Sequence, residues 1–239
     1  MTTFALVHGG NYTSDAWERL VPHLDGDVVL VELPGRGRRP GDPSRVTLAD
    51  NVAATIEDLE PAGATDVVLV GHSIGGITVA HVLNEVPDRI ALAVLVSCTI
   101  PPHGSAVIDH IDPDVRDSVM AGSGGGVFRI DEETVLDFLC NDLDDEQTAW
   151  ALEHMVAETT SILSEVVDLS GLRSGVPVTY VRLGSDRTLP PEQQDAAIAA
   201  VGSPEVVVID AGHMVMLSRP EELAAVLNER AARPARRAR

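Results

Sequence analysis

Lysine is absent from this sequence of 239 residues, so arginine carries all 17 basic charges against 37 acidic residues. The formal net charge is −20 at pH 7. A surface of this sign repels phosphate backbones, so the composition argues against nucleic acid as a partner. Together with the abundance of alanine, valine and arginine, the missing lysine is typical of a GC-rich genome. A salt-adapted host is an alternative interpretation of the same bias.

Cysteine and long apolar runs are also scarce. Two cysteines, Cys98 and Cys140, are too few for a disulfide framework, and we expect two free thiols in a reducing compartment. No apolar stretch reaches the roughly 20 residues needed to cross a bilayer, and no secretion signal precedes the first strand-like run. The expectation is a cytoplasmic protein without a membrane partner.

Short apolar or β-branched runs alternate with helical patterns over most of the chain. The strand-like runs are Phe4–His8, Val28–Leu33, Val67–Val70, Ile90–Val96, Val176–Leu183 and Glu205–Ile209. The helical patterns are Asp15–Leu24, Thr47–Leu59 with Thr47 as the N-cap, Ile74–Glu85, Pro191–Val201 and Pro220–Arg230. This alternation predicts a single α/β domain, with a mostly parallel central sheet flanked by helices.

The segment from about 99 to 175 breaks this alternation. It contains the glycine-rich stretch Gly122–Gly126, which we expect to be a hinge, and two helical patterns, Glu132–Leu139 and Asp145–Ser161. We find no strand-like run in it. Because the segment lies between two core strands, we predict a small helical cap inserted over the end of the sheet. The arginine-rich end of the chain, residues 231–239, is expected to be flexible and solvated.

The sequence GHSIG, Gly71 to Gly75, matches the pattern G-x-S-x-G where a strand-like run ends and a helical pattern begins. In a nucleophile elbow the serine occupies a strained turn between strand and helix, and glycines flank it because neighbouring chains crowd the turn. The N-terminus of the helix directs free N–H groups at such a serine. This context predicts that Ser73 is a nucleophile, with a structural serine in a tight turn as the alternative.

A serine hydroxyl becomes an effective nucleophile when a base removes its proton, and the expected order along the chain is serine, acid, histidine. His213 follows the last strand-like run and Asp186 follows the run before it, at strand ends where open α/β sheets place their sites. We predict His213 as the general base and Asp186 as the acid that orients its ring. Asp210 is too close to His213 in sequence for that role. His72 is expected to serve in packing.

The sequence VHGG, Val7 to Gly10, follows the first strand-like run. A tetrahedral intermediate needs N–H donors for its oxyanion, and glycine lets the backbone approach a substrate closely. We therefore predict an oxyanion hole formed by the backbone N–H groups of Gly10 and of Ile74, the residue after the serine.

The sequence contains few signals for other chemistry. No HExxH, CxxC or dense cluster of histidine and aspartate predicts a metal site, and no cofactor is expected. Trp17, Leu189 and Met214 are candidate lining residues of an apolar substrate pocket, and packing in the core is the equal alternative.

These motifs resemble the α/β-hydrolase superfamily over essentially the whole chain, and more closely its plant methylesterase and hydroxynitrile lyase-type branch with the bacterial esterase relatives. FALVHGGNYTSDAW is similar to the first strand and oxyanion loop of that branch, and GSDRTLPPEQQ to its acid loop. AGHMVMLSRPEELAAVL is similar to its histidine loop and final helix, and FLCNDLDDEQTAWAL resembles the cap of bacterial members. The resemblance implies an α/β-hydrolase fold.

Two departures from this branch bear on the activity. Its lyases carry a lysine directly after the catalytic histidine, where the charge stabilises departing cyanide, and this chain has Met214 there. They also carry a threonine in the oxyanion region where this chain has glycine. Both differences favour an esterase. The stretch LPGRGRRP, Leu33 to Pro40, resembles type II thioesterases, but their N-terminus is not a VHGG-type strand, and we expect a loop at the sheet edge.

The combined prediction is a carboxylesterase-like serine hydrolase that cleaves an ester of a small or apolar substrate through an acyl-enzyme. The alternatives are a thioesterase or lactonase, a hydroxynitrile lyase-type C–C lyase, and a non-catalytic ligand-binding protein on the same fold. The expected partner is a small-molecule ester, and the chain is expected to be a monomer or a homodimer.

Overall fold

A computed structural model describes residues 2–61, 63, 65–111, 116–117 and 123–233. Its central feature is a sheet of six parallel strands, which are β1 (Thr3–Val7), β2 (Asp27–Val31), β3 (Val67–His72), β4 (Ile90–Val96), β7 (Val178–Leu183) and β8 (Glu205–Ile209). Their order across the sheet is β2-β1-β3-β4-β7-β8. The prediction of a mostly parallel central sheet is confirmed.

Helices cover both faces of this sheet. The α-helices that lie wholly within the described residues are α1 (Leu48–Leu59), α2 (Gly75–Glu85), α3 (Glu132–Thr134), α4 (Asp145–Glu153), α5 (Ser161–Ser164), α6 (Pro191–Val201), α7 (Val215–Ser218) and α8 (Pro220–Ala231). Apolar residues of α1, α2 and α6 pack on one face, and those of α8 and of the turn around Trp17 pack on the other. The central strands are near-continuous apolar runs because both faces are buried.

Local sequence explains where α1 begins and α2 ends. The Thr47 hydroxyl accepts the Asp50 N–H at 3.2 Å, and the Asp50 carboxylate accepts the Thr47 N–H at 2.9 Å, which forms a capping box. Helix α2 ends at Glu85, two residues before Pro87. Proline has no N–H and disfavours helical backbone in the residue before it, so the helix stops there.

The predicted helix Asp15–Leu24 is wrong. Two 3-10 turns, Ser14–Trp17 and Val21–His23, occupy this segment instead. Pro22 lacks an N–H to donate, and in an α-helix its ring would clash with the carbonyl four residues earlier. The turns still bury Trp17 against the sheet.

The cap segment, residues 99–175, differs from expectation in its secondary structure. Among its described residues none joins the central sheet, but β5 (Val127–Phe128) and β6 (Glu158–Thr159) form an antiparallel pair, so the expectation of no strand is wrong. The predicted helix Asp145–Ser161 ends at Glu153 because the chain then pairs with β5 and with the loop after β1. The predicted helix Glu132–Leu139 is α-helical only in α3.

The remainder of that helical pattern, Val135–Leu139, is a π-helix, in which the Cys140 N–H donates to Val135 O at 3.1 Å. Further 3-10 turns are Pro43–Arg45, Pro87–Arg89, Val107–His110, Gly124–Gly126 and Ser170–Arg173. Of the predicted hinge, Gly122 lies outside the described residues.

Residues 234–239 lie outside the described part of the chain, whereas Arg233 pairs with Glu229 at 2.6 Å and Glu205 at 2.9 Å. Cys98 and Cys140 are free and buried. Within the described ranges, no helix has the length and apolar character that crossing a bilayer requires.

Candidate active site

Ser73 lies in the turn between β3 and α2, with a φ of 53° that residues other than glycine seldom adopt. The flanking glycines are required by space. A Cβ on Gly75 would lie 2.5 Å from His8 O, and a Cβ on Gly71 would lie 2.7 Å from Val79 Cγ2. The sequence GHSIG therefore forms this turn because no side chain fits at either glycine.

Ser73, His213 and Asp186 form a continuous line of hydrogen bonds. His213 Nε2 lies 3.1 Å from Ser73 Oγ, and His213 Nδ1 lies 2.7 Å from Asp186 Oδ2. His213 and Asp186 are buried, whereas Ser73 is partly exposed. Since the Nδ1–H donates to the carboxylate, Nε2 is available to accept the proton of the Ser73 hydroxyl.

The Asp186 carboxylate is held by several donors. Its Oδ1 accepts the N–H groups of Thr188 and Leu189 at 2.8 and 2.9 Å, and its Oδ2 accepts the Ser97 hydroxyl at 2.6 Å. Burial by itself raises the pKa of Asp186, but the charge and hydrogen bond of His213, the Leu189 N–H and the Ser97 hydroxyl bring that pKa below its usual value. The carboxylate is therefore ionised at neutral pH.

Ser97 was missed at the sequence level. It is fully buried, follows β4 directly and has a φ of 40°. Asp186 and His213 were predicted because the carboxyl ends of parallel strands meet at one edge of the sheet. The same rule applies to Ser97. A serine after a buried strand was therefore a usable signal.

His72 packs against His213, in keeping with the expected packing role. The His72 Nε2–H donates to the His213 carbonyl at 2.9 Å, and the two ring centroids are 4.6 Å apart. Burial, together with the nearby His213 imidazole, lowers the pKa of His72 to about 3. His72 therefore stays neutral and supports the backbone of the histidine loop.

The backbone of Gly10 lies beside Ile74. A Cβ on Gly10 would be 3.3 Å from Ile74 Cγ2, and both residues are partly exposed. Within the described part of the chain, neither the Gly10 N–H nor the Ile74 N–H donates to a protein acceptor. Two free N–H groups on neighbouring residues are the kind of donor that binds an oxyanion.

The residues predicted to line a substrate pocket are all buried. Trp17 is fully enclosed in the core and meets His72 edge-on, with ring centroids 6.2 Å apart. Met214 is 1% exposed and belongs to the same apolar cluster. Leu189 contributes its N–H to Asp186. Their role in lining a pocket stays a prediction.

The cap segment contacts the loops that carry Asp186 and His213. Asn141 Nδ2 donates to Ser185 O at 3.0 Å, and Asp142 Oδ2 accepts the Gly212 N–H at 2.7 Å. Ser185 directly precedes Asp186, and Gly212 directly precedes His213. Sequence reasoning missed Asn141 and Asp142, since nothing local to them indicates a partner so far along the chain.

The remaining candidates have other contacts. Asp210, the alternative carboxylate near His213 in sequence, accepts a hydrogen bond from the Ser185 hydroxyl at 2.8 Å.

Over the described ranges, no group of three or more histidine, cysteine, aspartate or glutamate side chains is arranged to hold a metal ion.

The profile of the α/β-hydrolase family matches residues 4–226 of this sequence. The chain belongs to this family. Lipase LipV of Mycobacterium tuberculosis is 30% identical to it, over 94% of this chain and 91% of the relative. Methylesterase 9 of Arabidopsis thaliana is 28% identical, over 93% of this chain and 95% of that protein.

A solved structure of an extracellular α/β-hydrolase from a Paenibacillus species is similar to this α/β-hydrolase, with a TM-score of 0.89 and 23% identity. The similarity covers 98% of this chain and 100% of the other, and it concerns the fold. The predicted fold, the resemblance to the methylesterase branch with its bacterial relatives, and the prediction of a hydrolase enzyme are thereby confirmed.

Proposed function

We propose that this α/β-hydrolase is a serine carboxylesterase that cleaves esters of small or apolar substrates. The observation that carries the proposal is the line of hydrogen bonds from Ser73 through His213 to Asp186, with distances of 3.1 and 2.7 Å. A serine nucleophile with a general base requires these residue types in this order. Relatives named lipase and methylesterase support the same class of reaction.

Acylation begins when Ser73 Oγ attacks the ester carbonyl carbon while His213 Nε2 takes the hydroxyl proton. The carbonyl oxygen becomes negative, and the N–H groups of Gly10 and Ile74 donate to it. Asp186 remains ionised and stabilises the His213 imidazolium by accepting the hydrogen bond from His213 Nδ1–H. The intermediate then expels the alcohol, which takes the proton from Nε2 and leaves Ser73 acylated.

Deacylation repeats the sequence with water as the nucleophile. His213 Nε2 accepts a proton from the water as its oxygen attacks the acyl carbon, and the same two N–H groups hold the second oxyanion. Ser73 leaves with the proton from Nε2, and the carboxylic acid is released.

The proposal is tested by hydrolysis of p-nitrophenyl acetate and butyrate with the wild type and Ser73→Ala. We expect the variant to lose about 10⁴-fold or more in kcat. Ser164→Ala, a change at an exposed cap serine, is the matched control and should retain the wild-type rate. Equal turnover by wild type and Ser73→Ala would refute the proposal.

Covalent labelling and a substrate panel separate the alternatives. A fluorophosphonate probe should attach to Ser73, whereas a non-catalytic ligand-binding protein should label poorly. Thioesters and lactones are compared with esters by kcat/KM, and a higher value for either class would replace the esterase assignment. Release of cyanide from mandelonitrile would indicate the lyase, which Met214 after His213 disfavours.

A further inference from the structure

A buried ion pair between Arg36 and Glu158 joins the loop after β2 to the cap segment. The Glu158 carboxylate, in β6, accepts hydrogen bonds from both terminal nitrogens of Arg36. Nη1 donates to Oε2 at 2.7 Å, and Nη2 donates to Oε1. Arg36 and Glu158 are only 4% and 2% exposed. Arg36 comes from the loop after the edge strand β2, so the pair connects segments that are distant in sequence.

Glu158 also holds the backbone next to Gly10. Its Oε2 accepts the Asn11 N–H at 3.2 Å and lies 3.4 Å from the position that a Cβ on Gly10 would occupy. Asn11 has a φ of 60°, a conformation that persists only when the surroundings hold it. The cap adds three more hydrogen bonds to Asn11. Its Nδ2 donates to Val156 O at 3.1 Å and to Phe128 O at 3.4 Å, and its carbonyl accepts the Val156 N–H at 2.8 Å.

This placement brings a carboxylate close to the proposed oxyanion hole. An unpaired negative charge beside Gly10 would repel the charge that develops on the substrate oxygen, and a buried site screens that repulsion weakly. The guanidinium of Arg36 binds the Glu158 carboxylate through two hydrogen bonds and cancels its charge where it is buried.

We propose that Arg36 and Glu158 are a positioning pair for the oxyanion hole. Glu158 holds the backbone from Gly10 to Asn11, and Arg36 neutralises the carboxylate so that it does not oppose the oxyanion. This inference rests on the proposed function, in which the Gly10 N–H binds the oxyanion. The pair acts on kcat rather than KM, because the oxyanion charge is present in the transition state and absent from the bound substrate.

The test compares R36Q, E158Q and the double variant R36Q/E158Q with the wild type on p-nitrophenyl butyrate, with Tm measured for each. R36Q leaves a negative charge beside the oxyanion, so its kcat is expected to fall about 10²-fold with KM within about threefold. E158Q leaves no negative charge and should lower kcat by at most about tenfold. The double variant has neither charge and should exceed R36Q in kcat by about tenfold.

Glu146→Gln is the matched control, because the exposed Arg19–Glu146 pair, 2.6 Å apart, also joins the cap to the rest of the protein. It should retain the wild-type kcat. Equal losses of kcat in R36Q and E158Q, or losses confined to KM, would overturn the inference, since a purely structural pair predicts them.

If R36Q does not fold, the double variant decides. A folded double variant with kcat about tenfold below the wild type supports the inference, whereas the wild-type kcat, or a loss of about 10²-fold or more, overturns it. If the wild type has no ester turnover, or if its turnover does not depend on Ser73, the proposed function is refuted and the inference fails with it. If the wild type shows turnover that depends on Ser73 but the Arg36 and Glu158 variants do not behave as expected, only the inference fails and the proposed function stands.

Discussion

Ser97 donates its hydroxyl to Asp186 Oδ2 at 2.6 Å, and the same oxygen pairs with His213 Nδ1 at 2.7 Å. Two donors on one carboxylate oxygen restrict its orientation and stabilise its ionised form. Ser97 is itself held, because its N–H donates to Val181 O at 2.9 Å. Asp186 Oδ2 thus connects the three segments that follow β4, β7 and β8, which carry Ser97, Asp186 and His213.

Replacing Ser97 by alanine should remove one hydrogen bond to the Asp186 carboxylate and leave the carboxylate itself in place. We expect Ser97→Ala to lower kcat about tenfold, well short of the loss expected for Ser73→Ala, and to lower the free energy of unfolding by about 1–2 kcal/mol at pH 7. Both are measured with p-nitrophenyl butyrate and urea unfolding. Ser164→Ala is the control, and wild-type kcat and stability in Ser97→Ala would contradict this role.

The Ser97→Ala effect on stability should depend on pH. The pKa of Asp186 lies below its ordinary value, because His213, the Leu189 N–H and Ser97 outweigh the effect of burial. A lowered carboxyl pKa stabilises the fold above the unfolded pKa, and this stability is lost as the pH falls through the folded pKa. The difference between wild type and variant should therefore shrink at acid pH, and a constant difference would contradict the argument.

His72 should make the protein sensitive to mild acid. Its folded pKa of about 3, caused by burial and the nearby His213, lies below its ordinary value of 6.5. As the pH falls below 6.5 the unfolded chain binds a proton that the folded chain does not, so stability falls. From pH 6.5 to about pH 5 the loss is about 2 kcal/mol.

The variant His72→Gln isolates this effect, because glutamine retains an N–H donor for the His213 carbonyl and does not titrate. Urea unfolding at about pH 7 and about pH 5 should show that the wild type loses more stability than the variant between these values. The same loss in both proteins would mean that other groups cause the acid sensitivity.

Glu32 should contribute stability that disappears in stronger acid. It is 2% exposed and accepts the Ser14 N–H at 3.1 Å and the Ser14 hydroxyl at 3.0 Å. Burial raises its pKa, but hydrogen bonding and charge from His8, with the N–H groups of Ser14 and Arg38, lower that pKa to about 2. The contribution is present above about pH 4.5 and is lost as the pH falls towards 2.

We therefore expect Glu32→Gln to lower the free energy of unfolding by about 2–3 kcal/mol at pH 7 and by progressively less below about pH 4.5. Urea unfolding at about pH 7, 4 and 3 measures this. A deficit that grows in acid would show that Glu32 does not have the lowered pKa.

Gly75 should not tolerate a methyl group. An alanine Cβ there would lie 2.5 Å from the backbone oxygen of His8, so the turn around Ser73 must shift. Gly75→Ala is expected to lose about 2–3 kcal/mol of stability and most esterase activity. Gly41→Ala is the control, because the nearest atom to its Cβ would be Gly35 Cα at 3.9 Å. Similar Tm and kcat in both variants would contradict the steric argument.

Prediction from sequence succeeded where the signal lies within the segment itself. The predicted bounds of Ile90–Val96, Glu205–Ile209 and Pro191–Val201 agree with β4, β8 and α6. Apolar runs and a proline at the first helical position need no distant partner to be recognised. Prediction failed for Asp145–Ser161, where pairing of β6 with β5 overrides the helical pattern.

The sequence by itself determined the family, the parallel sheet and the strand ends that carry Ser73, Asp186 and His213, because motif, alternation and chain order are local properties. Only the tertiary structure decided that Ser97 binds Asp186 and that Glu158 meets Arg36 beside Gly10. The two contacts join residues 89 and 122 positions apart, and the neighbouring bond between Asn11 and Glu158 spans 147 positions. Folding brings such residues together through burial and hydrogen bonding that no local pattern records.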